Sequence, residues 1–232
     1  MEWLKELIHQ LQPVDKNAPA FWHRYSTALK EQASGGTPLA EAEFVVFDTE
    51  TTGLDQRRDK VLSMGAIKVR SLQVLVSDTF ECLVQQEGAP STKSAEVHGL
   101  LSKELEGGIA EQEAVEGFID FIGNAILVGQ HVAFDIAMVN QMLKRQGISG
   151  KLRNRSVDTA HLAIRLERRH ADSHTLKTGE YSLDALCERY NLPSDDRHTA
   201  SGDAFATALL LLKLLSLAKK RGIATVGELL KG

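Results

Sequence analysis

Phe44, Val45, Val46 and Phe47 form a short apolar run that ends abruptly in Asp48-Thr49-Glu50. Aromatic and β-branched residues in so short a run suit a strand buried on both faces. Alternate side chains of a strand share a face, so Asp48 and Glu50 aim their carboxylates into one small volume at its end. Two carboxylates there repel each other and are costly to desolvate unless a cation lies between them. A hard divalent ion with oxygen ligands, Mg²⁺ or Mn²⁺, answers that need. Thr51-Thr52-Gly53 then adds hydroxyls, backbone N–H groups and a glycine that admits the close approach of another backbone. A strand leaving the core into a polar turn accounts for Asp-x-Glu alone; the apolar run before it and the Thr-Thr-Gly-Leu after it favour the metal site.

The rest of the chain sets limits on this reading. Its 232 residues form one domain with room for a decorated end, and 43% hydrophobic with 25% charged residues is globular composition. A formal charge of −4 argues against a protein that coats nucleic acid by global attraction, but not against an enzyme whose acidic site meets phosphate through metal. Cys82 and Cys187 read as reduced core thiols. No signal peptide is visible, and the Leu-rich run near Lys213 is too short and interrupted for a membrane span. The expectation is a soluble, cytoplasmic protein without membrane contact.

In chain order, residues 1–40 read as a helical extension and linker, and residues 41–232 as the main domain. Trp3, Leu4, Leu7, Ile8 and Leu11 recur at helical spacing up to Pro13; Phe21, Trp22, Tyr25 and Leu29 repeat the pattern after Pro19. Ser34 to Pro38 reads as a flexible joint. These helices either pack on the domain or dock a polymerase or a second protomer through exposed aromatic anchors. Val61–Val69 and Val74–Val84 read as strands in an antiparallel meander with the first. A helix over Glu111–Ile122, a strand over Ala125–Val128 and a helix from about Phe134 to Gln146 follow, with Asp135 in that helix's first turn. Lys144–Lys177 carries nine Lys or Arg against three acidic residues. That basic stretch, including Arg153, Arg155, Arg165, Arg168 and Arg169, either holds a nucleic-acid backbone or is a solvated face. Asp158 reads as a helix cap or a support for the site, and Ser182 as a cap. His198 stands five residues before Asp203, which opens a long Leu-rich helix, and Thr225 with Glu228 makes a capping box.

FDTETTGL, GQHVAFD and the His198-x₄-Asp203 spacing together resemble the motifs of the DEDDh 3′–5′ exonucleases, the group that includes the proofreading subunit of bacterial DNA polymerase III and ribonuclease T. The resemblance covers about Glu43 to Leu217 and implies a ribonuclease H-like α/β fold, a mixed five-stranded sheet with helices on both faces. It implies a catalytic set of Asp48, Glu50, Asp135, His198 and Asp203, the four acids holding two divalent ions, Mg²⁺ or Mn²⁺, and His198 acting as general base. Thr51, Thr52, Gly53, Leu54, His98 and Phe134 fall where the family shapes the pocket for the terminal nucleotide. Val132 departs from the Asn common at that place. The implied partner is a nucleic-acid 3′ end, single-stranded or frayed DNA ahead of RNA. A non-catalytic recruiting module is the reading from another class. No long tail follows residue 232, which favours a stand-alone enzyme over a tethered proofreader.

Overall fold

Alternation along the first strand decides how the molecule is layered. The computed structural model describes residues 16–86, 107–168, 177, 179–194 and 196–231. Strand β1 (Glu43–Thr51) buries Phe44 and Val46 in one apolar cluster and Val45 and Phe47 in the other. It is therefore a central strand, covered on both faces. It pairs antiparallel with β2 (Val61–Arg70), which pairs antiparallel with β3 (Gln73–Leu83). Its other edge runs parallel to β4 (Ile126–Gly129), and β4 runs parallel to β5 (Ser156–Asp158). The order β3-β2-β1-β4-β5 is the mixed five-stranded sheet expected from the sequence.

One face is covered by α1 (Ala20–Ala28), α2 (Glu111–Ile122) and α3 (Ala133–Arg145). The other carries α4 (Thr159–Glu167), α5 (Leu183–Tyr190), α6 (Ala200–Lys220) and α7 (Val226–Leu230). Side chains start four of these helices: Asp158, Ser182, Thr199 and Thr225 each accept a hydrogen bond from a first-turn N–H, and Glu228 completes the capping box. Asp158 is thus a cap. Leu210, Leu211, Leu214 and Leu215 bury α6 along the sheet, each contributing about 1.5–3 kcal/mol on the scale for a fully buried Leu. By length and composition α6 is sufficient to cross a bilayer, contrary to the expectation from sequence, but 56% of that stretch is buried inside this chain. Its packing identifies it as a core helix. Both cysteines are free thiols, and burial raises the Cys82 thiol to about 11.

One expectation changes, and for α1 the packed alternative holds. Residues 34–39 are no loose joint: Gly35 and Thr37 carbonyls accept the N–H groups of Gly227 and Val226, and Leu39 donates to Ala224. That stretch is stitched to the start of α7. The α1 aromatics are core, not exposed anchors: Trp22 is 4% and Tyr25 2% exposed, and the Tyr25 hydroxyl bridges Asn154 and the Arg153 N–H. The helical pattern at residues 3–11 lies outside the described residues.

Four arginines of the basic stretch after α3 bond within the fold. Arg155 donates to the Ala33 carbonyl, Arg165 to Lys231 and Arg168 to Glu180, while Arg153 reaches Ser26. These guanidiniums tie elements of the fold together. Arg169 lies outside the described residues.

Candidate active site

Asp48 and Glu50 continue the parity of Phe44 and Val46, so they emerge on the α6 side of the sheet where the apolar core stops. Thr199 caps α6 through the Gly202 N–H and puts Asp203 in its first turn. One carboxylate oxygen from each of Asp48, Glu50 and Asp203 lies within 4.8 Å of the others. Oxygens about 2.1 Å from a shared ion stand up to about 4.2 Å apart, so the cluster has the all-oxygen character that Mg²⁺ or Mn²⁺ requires and needs only a small closure to reach its span.

Gly65 makes this meeting possible. It lies opposite Asp48 in the β1–β2 register, and a Cβ there would overlap the backbone of Ala200 and Ser201. Only a glycine lets the first turn of α6 lie against β2. A glycine inside a strand is the sequence signal for such an approach, and it was there to be read.

The charges are at odds with their surroundings. Burial drives the Asp48 carboxyl well above the usual carboxylate range, with Asp135 and Glu50 adding to the rise and Arg197 opposing it. Burial lifts Glu50 to about 7, again with Asp135 adding and Arg197 opposing. Asp135, in the first turn of α3 and 4% exposed, is raised to about 7 by burial, against hydrogen bonds from Thr49 that favour its ionised form. Carboxyls held this far from their ordinary state call for a strong positive charge nearby.

The structure brings three of the four proposed acidic ligands together and holds Asp135 outside that triad. Thr49, of opposite parity to Asp48, donates its N–H at 3.1 Å and its hydroxyl at 2.7 Å to Asp135 Oδ1. His198 sits on an exposed turn with φ of 68°, and its N–H donates to Asp203 Oδ1 at 3.1 Å. Arg197 pairs with the same Asp203 oxygen and with Asp184 at 2.7 Å. Thr49 and Arg197 both escape a sequence reading, because their partners lie far away along the chain or on another element.

Around the cluster, the Thr51 hydroxyl donates to the Gly53 carbonyl and the Thr52 hydroxyl to Asp59, while Leu54 is 85% exposed. Phe134 is partly buried against the α3 core. Val132 is buried among core residues and gives α3 no side-chain cap. His98 lies outside the described residues.

A family model described as exonuclease, of the ribonuclease T type, matches residues 45–211, most of the chain and every element of the cluster. The chain belongs to that exonuclease family. The domain is 31% identical over 199 residues to a PolC-type DNA polymerase III of Thermotoga maritima, covering 85% of this chain and 14% of that protein. It is 33% identical over 203 residues to a DNA polymerase III subunit epsilon-like protein of Rhodobacter capsulatus, covering 86% of this chain and 27% of that protein. Among solved structures, E. coli exonuclease I in complex with a dT13 oligonucleotide superposes with a TM-score of 0.66 at 16% identity, over 78% of this chain and 43% of that one. A product-bound structure of exonuclease I gives 0.64 at 18% identity, over 78% and 45%. The exonuclease domain thus has the ribonuclease H-like fold and spans less than half the length of these proteins.

Proposed function

We propose that this exonuclease domain removes nucleotides from the 3′ end of single-stranded or frayed DNA as nucleoside 5′-monophosphates, in the DEDDh manner with two divalent ions. The observation that carries the reading is the meeting of Asp48, Glu50 and Asp203 oxygens within 4.8 Å at the end of a buried strand. In this reading Asp48, Glu50 and Asp203 would hold one Mg²⁺ or Mn²⁺, and Asp135 would help to hold a second beside Asp48. Bound there, the ions supply an activated water and neutralise the charge that develops on the phosphate.

The chain's own side chains do the rest. Thr49 fixes the aim of Asp135 and favours its ionised form against burial. His198, on its exposed turn tied to Asp203, takes a proton from the attacking water. Leu54 rests against the terminal base, with Thr51, Thr52, Gly53, His98 and Phe134 forming the walls of the nucleotide pocket. DNA is favoured because the relatives' names are those of DNA polymerase III and the solved neighbour holds dT13. Association with a polymerase, in the cytoplasm where replication proceeds, belongs to the same proposal. Recruitment through Trp22 and Tyr25 does not, since both are buried.

Asp203→Ala and His198→Ala are expected to lower Mg²⁺-dependent release of mononucleotides by more than about 10³-fold, the scale for losing a group at the reacting centre. Circular dichroism should be unchanged. Full activity in Asp203→Ala refutes the assignment. A panel of single-stranded DNA, frayed duplex and RNA, assayed with Mg²⁺ and Mn²⁺, ranks the substrates; faster loss of RNA ends would make the domain an exoribonuclease.

A further inference from the structure

The loop that joins β1 to β2 is held tightly and yet presents unpaired chemistry to solvent. Thr52 N–H donates to the Lys60 carbonyl at 2.9 Å and its hydroxyl donates to Asp59 at 2.8 Å, while Lys60 N–H donates back to that hydroxyl at 3.0 Å. The other Asp59 oxygen accepts the Asp55 N–H at 2.7 Å, and a Cβ at Gly53 would overlap the Asp59 carboxylate. Asp55 in turn accepts the Arg57 N–H at 2.9 Å. Both acidic residues of the loop are thus engaged by its own backbone. Its cations are not engaged in the same way. Arg57 and Lys60 are exposed with no side-chain partner among the described residues, and Arg58 is 88% exposed, with Asp55 no closer than 3.8 Å. Elsewhere guanidiniums close onto carboxylates, as in Arg24–Asp120, Arg70–Glu43 and Arg189–Glu167.

This loop begins one residue after the strand that delivers Asp48 and Glu50. A phosphate chain approaching a cluster of carboxylates on a protein of charge −4 is repelled unless fixed positive charge stands beside the entrance. We propose that Arg57, Arg58 and Lys60 grip the backbone phosphates of the nucleic-acid strand whose end occupies the carboxylate cluster, with Asp59 as the latch that keeps the loop in shape. The inference rests on the nuclease reading above and adds the surface that feeds it. Such contacts position the strand without reading its sequence.

The test compares the wild-type chain with the triple variant R57A/R58A/K60A on two probes. One is a short 5′-labelled oligonucleotide of whichever polymer the wild type degrades; the other is the p-nitrophenyl ester of thymidine 5′-monophosphate, which has no upstream phosphates. The variant should show a KM for the oligonucleotide raised on the order of tenfold at low salt, and a slope of log KM against log salt that is shallower by about 2, as three lost contacts to a single strand require. Its kcat and its hydrolysis of the ester should match wild type. An unchanged KM and salt slope overturns the proposal, and so does an equal loss on the ester, which would put these residues in the reacting site. A wild-type chain inactive on both probes overturns the nuclease reading itself, and this surface with it.

Discussion

Thr49 donates both its backbone N–H and its hydroxyl to a single oxygen of Asp135, at 3.1 and 2.7 Å. The two residues come from opposite sides of the fold's logic, one facing away from the carboxylate triad on β1 and the other opening α3. Burial raises this carboxyl to about 7, and those two donors oppose the rise by favouring its ionised form. Thr49→Val keeps the volume and removes the hydroxyl. A hydrogen bond to a charged group contributes about 1.5–3 kcal/mol, so kcat should fall about ten- to hundredfold. Thr49→Ser should recover most of it. Equal rates for Val and Ser would show that the hydroxyl does not matter.

Gly65→Ala forces a methyl into the backbone of Ala200 and Ser201. Overpacking of this kind costs about 1–3 kcal/mol, visible as a lower Tm. The first turn of α6 must move, and Asp203 with it. A displacement near 1 Å at a reacting centre lowers kcat by about a hundredfold, and Mn²⁺ affinity by calorimetry should weaken in parallel. Gly36→Ala is the control, since its added methyl meets only Ser34 Oγ at 3.9 Å. A Gly65→Ala protein with wild-type Mn²⁺ affinity would remove the helix-positioning argument.

Acidity should stabilise the metal-free protein. Glu50 and Asp135 are both raised from the ordinary carboxylate range to about 7, chiefly by burial. Between those values the folded chain binds more protons than the unfolded one, so stability is fullest below the unfolded pKa and falls as pH rises through about 7. Thermal melts in chelator from about pH 5 to about pH 8 should show that decline. Saturating Mg²⁺ or Mn²⁺ should reverse it, because an ion replaces the protons. A melt flat with pH in chelator contradicts the burial of these carboxyls.

Tyr25→Phe probes the seating of α1. The hydroxyl donates to Asn154 at 2.7 Å and accepts the Arg153 N–H at 2.8 Å, and Asn154 also donates to the carbonyls of Gly123 and Ala125. Leaving those buried groups unpaired costs about 1–3 kcal/mol. Chemical denaturation should report that loss while kcat stays at the wild-type value. A large fall in kcat would instead tie α1 to the reaction.

Much of this protein is written in local pattern. The unbroken apolar run Phe44–Phe47 determines a strand buried on both faces, and the pleat's period of two turns Asp48 and Glu50 the same way. Ser182 and Thr225 mark where helices start because a cap reaches only to its own first turn. The tertiary structure alone decided that α6 packs closely enough on Gly65 to bring Asp203 to that pair, that Thr49 holds Asp135, and that Arg155 and Arg165 face carbonyls where Arg57 faces solvent. A charge or a glycine looks the same in the chain wherever it ends up. Its role is set by what packing places opposite it, and that depends on residues far away along the sequence.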